Sequence, residues 1–167
     1  FIMSYCRLPG SEIYRCINRL DRDTTGALIL AKNPLSAAIL SVQMKKRQIL
    51  RTYLALVDGL LPDSGTINAP IARMEGSVIT REVNFGTGES AITHYERLAA
   101  GKEYSLAELH LETGRTHQIR VHMKYIGHPL PGDYLYNPDY RRINRQPLHS
   151  YQLELLQTPR FRNLLLW

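Results

Sequence analysis

Cysteine is scarce in this 167-residue chain. Cys6 and Cys16 are the only two and lack CxxC spacing, so neither a disulfide framework nor a thiolate metal site is expected. No apolar run approaches the roughly 20 residues that span a bilayer. No stretch reads as a secretory signal, so the cytoplasm is the expected location, with no membrane role. Gly10, Gly26 and Gly59 form no GxGxxG or Walker loop, so no nucleotide cofactor is expected. Metal binding is poorly supplied despite six histidines. His117 and His122 are five residues apart rather than four, and HExxH is missing. Asp21-Arg22-Asp23 has the outline of a DxD magnesium site, but Arg22 within it and Arg19 beside it would repel a dication.

What the chain has is positive charge. Lys and Arg total 21 against 15 Asp and Glu, for a net charge of +6 and an isoelectric point near 9.5. Such a surface favours polyanions, because each neutralised phosphate releases counterions, although many basic proteins bind no nucleic acid. The 44% hydrophobic and 22% charged fractions are those of an ordinary globular domain, and the length suits one domain.

Periodicity sketches the elements. Ala27–Ala31 suits a buried strand. From Pro34, the spacing of Leu35, Ile39 and Val42 predicts a helix with these residues inward, ending at Lys45, Lys46 and Arg47. Thr52–Val57 reads as a strand closed by the Asp58-Gly59 turn, followed by strands near 66–68, 78–85 and 91–98. Residues 106–112 alternate, with Ala107, Leu109 and Leu111 on one face and Glu108, His110 and Glu112 on the other. Ile119, Met123 and Ile126 predict a helix over 115–126, capped by Gly127. Residues 152–156 and 164–166 suggest two last strands. Many strands with about two helices make an α+β domain with a mixed, mainly antiparallel central sheet and flanking helices.

Three segments carry chemistry. Asn18-Arg19-Leu20-Asp21-Arg22-Asp23-Thr24-Thr25-Gly26 gathers carboxylates, guanidiniums and hydroxyls before an apolar strand. It is either a self-neutralised surface turn or a carboxylate held ionised by cations at a cleft mouth, and spacing does not choose between Asp21 and Asp23. Gly114-Arg115-Thr116-His117-Gln118-Ile119-Arg120-Val121-His122 is either a solvated basic helix or a cationic one. Arg115 in a first turn opposes the helix dipole and so answers an anion from elsewhere. The loop from Gly127 to Asp133 precedes Tyr134, Tyr136 and Tyr140, then Arg141, Arg142 and Arg145, a mixture able to stack bases and grip phosphates or simply to cover the core.

Taken together, Arg19-Leu20-Asp21, Thr24-Thr25-Gly26, Ala31-Lys32, Tyr53 to Gly59, Thr113 to His122, Gly127-His128-Pro129, Gly132-Asp133 and Gln146-Pro147-Leu148-His149 resemble the RluA family of RNA pseudouridine synthases. The resemblance implies the pseudouridine synthase catalytic fold and isomerisation of uridine to pseudouridine in structured RNA, ribosomal RNA first and transfer RNA as the alternative. A catalytically silent RNA-binding module of the same fold is the competing reading. The resemblance makes Asp21 the catalytic carboxylate, Arg120 its ion-pair partner and Tyr53 the aromatic beside the flipped base. Arg19, Arg22, Arg115, His117 and Lys124 are expected on the RNA. No cofactor or metal is implied, and a monomer is expected. The family pattern is departed from at Asn18, where His is usual, at Thr25 for Ser, and at Pro131 for an aliphatic residue. Family domains begin further upstream, with extra strands and a Lys-Pro segment, and many carry an S4 domain. Residues 1–167 are therefore read as a partial catalytic domain without one.

Overall fold

A computed structural model describes residues 15–156, which divide into two compact units. The smaller comprises residues 15–19, 28–49 and 156; the larger comprises 20–27 and 50–155. The strand expected at the chain's end, 164–166, lies outside the described residues.

In the smaller unit, β1 (Arg15–Cys16) pairs antiparallel with β3 (Leu30–Ala31). Helix α1 (Pro34–Lys45) begins at Asn33, whose side-chain oxygen accepts the Ser36 N–H at 2.8 Å, and Pro34 occupies the first turn. Its buried face is Ala37 and Leu40, not the expected Leu35, Ile39 and Val42; Leu35 is 71% exposed and Val42 49%. Apolar residues occur on nearly every side of this helix, so periodicity alone does not select the inward stripe. The run 27–31 is a strand only at Leu30–Ala31.

The larger unit is built on a six-stranded sheet in the order β2-β10-β4-β9-β8-β5. Its strands are β2 (Thr25–Gly26), β4 (Ile49–Asp58), β5 (Ser64–Asn68), β8 (Ile92–Ala100), β9 (Tyr104–Leu111) and β10 (Leu148–Leu155). β4–β9, β9–β8 and β8–β5 are antiparallel, whereas β2–β10 is parallel, so the sheet is mixed and mainly antiparallel, as expected for an α+β domain. The alternation read in 106–112 holds: Ala107 and Leu109 are fully buried and face Ala55 and Tyr53 of β4. These residues, with Val57, Leu61 and Leu148, form the core on which Ile119 and Met123 of helix α2 (Gln118–Tyr125) pack.

A separate hairpin joins β6 (Ile71–Arg73) to β7 (Arg81–Val83). The long strand expected over 78–85 is confined to Arg81–Val83. Residues 74–80 turn instead, with Gly76 at φ 73° and the Ser77 hydroxyl accepting the Thr80 N–H at 2.9 Å. α2 starts later than predicted because His117 adopts a left-handed φ of 58°. Gln118 takes over the cap: its side-chain oxygen accepts the Arg115 N–H and the Thr113 hydroxyl, while its amide donates to Ile92 O. One turn on, His122 is fully buried between the Thr93 hydroxyl at 2.9 Å and Ala69 O at 2.8 Å. The carbonyl can only accept, so Nε2 carries the proton and Nδ1 accepts from Thr93.

Two outcomes follow from this scaffold. Gly26 has φ 116°, and a Cβ there would run into the Ser150 backbone across the β2–β10 pair. Gly26→Ala should therefore cost on the order of 2 kcal/mol or more, read as a lowered urea midpoint. Burial pushes the His122 imidazole below its ordinary value. The unfolded imidazole takes up a proton near pH 6.5 and the folded one resists it, so this stability is present above about pH 6.5 and is lost as the pH falls. Urea titrations at falling pH should show the loss, and a His122→Gln variant should show a shallower one.

Candidate active site

Within the larger unit, Asp21 opens a tight turn in which the Thr24 N–H donates to Asp21 O at 3.1 Å, with Asp23 at a left-handed φ of 68°. Short polar side chains tolerate that conformation best. The turn is held from a segment far along the chain. The Gln146 amide donates to Arg22 O at 2.8 Å and to the Thr24 hydroxyl at 2.9 Å, and Arg145 donates to Asp23 O at 3.1 Å. β2 then locks onto β10 through Thr25↔His149 and Gly26↔Ser150.

The turn aims Asp21 at α2. Arg120 Nη1 lies 3.2 Å from an Asp21 carboxylate oxygen, with the Arg120 side chain wholly buried and Asp21 24% exposed. Asp133 completes the arrangement: its two oxygens take Nε and Nη2 of Arg120 at 2.7 and 2.8 Å, and it is itself 1% exposed. Asp133 Oδ1, which takes Nη2, also accepts the N–H groups of Leu135 and Tyr136. The rings of Tyr134 and Tyr136 lie 5.3 and 5.0 Å from the Arg120 guanidinium carbon. Burial works against the positive charge of Arg120. The hydrogen bonds and charge of Asp133, then of Asp21, override it and raise its pKa, so the guanidinium stays charged.

Asp23 is placed differently. It faces Arg22 at 3.2 Å near solvent, and no guanidinium from α2 reaches it. Tyr53 is 7% exposed, with Arg51, Ser150 and Asp21 as its electrostatic neighbours. Burial raises its phenol above the ordinary value, Arg51 opposes that, and the net result keeps the proton on oxygen. His117 Nδ1 is 2.9 Å from the Tyr136 hydroxyl. Burial first, and the Arg120 charge as well, hold this imidazole below its ordinary value against the opposing pull of Asp21. The Tyr136 phenol is pushed up to about 12, chiefly by burial.

Of the residues expected on RNA, Arg22, His117 and Lys124 lie beside the two tyrosines that flank Arg120. Arg22 is exposed, its guanidinium carbon 4.6 Å from the Tyr134 ring, and Lys124 is exposed at 5.7 Å from the Tyr136 ring. Arg115 lies before the helix rather than in its first turn, so the dipole argument does not apply to it, and it is ion-paired with Glu89. Arg19 is exposed and belongs to the smaller unit. In residues 134–145, Tyr140 is 49% exposed and Tyr134 is half-buried. Tyr136 is buried, Arg141 pairs with Asp139 at 2.6 Å, Arg142 pairs with Glu103, and Arg145 holds the Asp21 turn. Asp133 and Gln146 were given no role from sequence; nothing in a loop's composition reveals which distant side chain it will clamp. Among the described residues, no group of three or more His, Cys, Asp or Glu could hold a metal ion.

The chain matches the RNA pseudouridylate synthase family over residues 2–125. It is 47% identical over 143 residues to the uncharacterized RNA pseudouridine synthase YhcT of Bacillus subtilis (strain 168), covering 84% of this chain and 47% of that protein. It is 44% identical over 160 residues to the ribosomal large subunit pseudouridine synthase D of Nitrosomonas europaea, covering 90% of this chain and 46% of that protein. Among solved structures, human RNA pseudouridylate synthase domain containing 1 superposes with a TM-score of 0.78 at 33% identity, over 89% of this chain and 65% of that one. The chain spans about half the length of the curated relatives it matches.

Because Asp133 is the bidentate partner of a fully buried guanidinium, Asp133→Ala should destabilise the fold by about 3 kcal/mol in urea unfolding. A loss under about 0.5 kcal/mol, typical of a surface change, would contradict the clamp.

Proposed function

The chain belongs to the RluA family of RNA pseudouridine synthases, and on that footing we propose that it isomerises uridine to pseudouridine in structured RNA. Ribosomal RNA is the first substrate class to test, since some relatives carry a large-subunit name, and transfer RNA is the second. The observation that carries the reading is the Asp21 carboxylate, partly open to solvent, facing a guanidinium that is itself buried and clamped from behind.

The reaction breaks the N1–C1′ bond, turns the base and joins C5 to C1′; the C5 proton is lost and N1 ends protonated. It consumes no electrons and needs no redox cofactor. It needs an ionised carboxylate beside the sugar, which is the role proposed for Asp21. Arg120 opposes protonation of that carboxylate as the closing site excludes water. The fixed guanidinium also orients one oxygen, leaving the other free to meet the nucleoside. Tyr53, a buried phenol with Asp21 among its electrostatic neighbours, is proposed to pack on the base and to relay a proton. A paired uridine cannot reach Asp21, so the base must leave the stack. Arg19, Arg22, Arg115, His117 and Lys124 are proposed to contact the surrounding RNA, with the chain acting as a cytoplasmic monomer.

Asp21→Asn should abolish pseudouridine formation on cellular ribosomal RNA, measured by chemical mapping, while RNA affinity stays near wild type. Arg120→Ala should lower turnover by about 100-fold or more, equivalent to about 3 kcal/mol, with Arg120→Lys recovering part of it if the charge matters. Turnover by the Asn variant would remove Asp21 from the chemistry. RNA binding by the wild type without any pseudouridine would instead favour a silent binding module.

A further inference from the structure

An open cleft of about 520 Å³ lies between the β6–β7 hairpin and the turn that precedes α2. Three guanidiniums line it: Arg73 and Arg81 on the hairpin and Arg115 on the turn, with the hydroxyl residues Thr87 and Thr116. Arg73 and Arg81 are direct cross-strand partners in register, so they share one face of a two-stranded ribbon. Like charges set opposite one another destabilise a strand pair. Among the described residues, no carboxylate is ion-paired with either arginine. The carboxylate in the cleft, Glu89, is ion-paired with Arg115. Arg81 Nη1 donates to the carbonyls of Ile79 and Thr80, and Arg73 makes no ion pair among the described residues. The ribbon tolerates a repulsion that an external anion would relieve.

The cleft is joined to the candidate active site through two hydrogen bonds. The Arg81 backbone N–H donates to the Tyr136 hydroxyl at 2.9 Å, which meets His117 Nδ1 at 2.9 Å. The Tyr136 ring flanks Arg120, the partner of Asp21. We propose that this cleft is a phosphodiester-binding site, in which Arg73 and Arg81 hold the backbone of the RNA strand flanking the nucleotide presented to Asp21. The hairpin tip argues for a nucleic acid over a free phosphate ion. Val78 and Ile79 stand 78% and 52% exposed just beyond the arginines, where base faces can cover them and an inorganic anion cannot. Phosphate contacts of this kind set register and carry no sequence information. The inference rests on the RNA-modifying reading above and adds a site to it.

Anisotropy of a fluorophore-labelled single-stranded oligouridylate across a salt series tests it. For single strands each phosphate contact contributes about 0.7 to the slope of log affinity against log salt, so the Arg73→Ala/Arg81→Ala double variant should lose about 1 to 1.5 of slope. Its low-salt affinity should fall by about tenfold or more. The Arg73→Lys/Arg81→Lys variant should keep most of the slope, which a purely structural role would not predict. Lys102→Ala, in the exposed turn between β8 and β9, should match the wild type. An unchanged slope in the Ala double variant overturns the site. Pseudouridine formation by the wild type, assayed in parallel, separates the two ideas. Activity with an unchanged slope sinks the cleft alone, and a reduced slope without wild-type activity upholds the cleft and sinks the catalytic reading.

Discussion

One guanidinium shared by two carboxylates is the constraint around which the larger unit is organised. Arg120 has no exposed surface, and a cation with that little water would be untenable without compensation. Asp133 supplies it with a planar, bidentate grip, and Asp21 takes the nitrogen that remains. The two acids are not equivalent. Asp133 is sealed and saturated with backbone donors, whereas Asp21 keeps a quarter of its side chain open and has only one contact with the arginine. Burial therefore separates a holding carboxylate from an available one, using the same side chain twice.

Keeping Arg120 in place requires a helix whose buried residues are half polar. α2 buries Gln118, Arg120 and His122 beside Ile119, Val121 and Met123. Each buried polar group has partners: Gln118 ties the helix start to Thr113, Ile92 and Thr93, and His122 ties the next turn to Thr93 and Ala69. Such a network fixes rotation about the helix axis more tightly than apolar packing does, because a small turn would strand several donors at once. The ion-pair geometry inherits that precision.

Much of the scaffold was legible in the sequence because the alternation of β9 and the run of β4 reflect a sheet with one face on the core. The pairing of Asp21 with Arg120 was legible only through motifs, since nothing in local spacing distinguishes Asp21 from Asp23. Other features carry no such signal. The inward face of α1 is not legible because that helix is apolar nearly all round, and burial is decided by what lies across from it. The start of α2 was misplaced by a left-handed His117, a conformation without a local sequence signal. The grip of Asp133 and the tether from Gln146 depend on chain segments that meet only after folding.

The tether has a bearing on how the protein comes into being. Gln146 reaches back across 124 residues to Arg22, and β2 finds its parallel neighbour β10 at a comparable distance along the chain. During synthesis, the turn bearing Asp21 is among the earliest parts of the larger unit to leave the ribosome, yet its anchors are among the last. A nascent chain lacking β10 would hold the strands from β4 to β5 but leave Asp21 on an untethered loop, so its pairing with Arg120 is secured only once β10 docks.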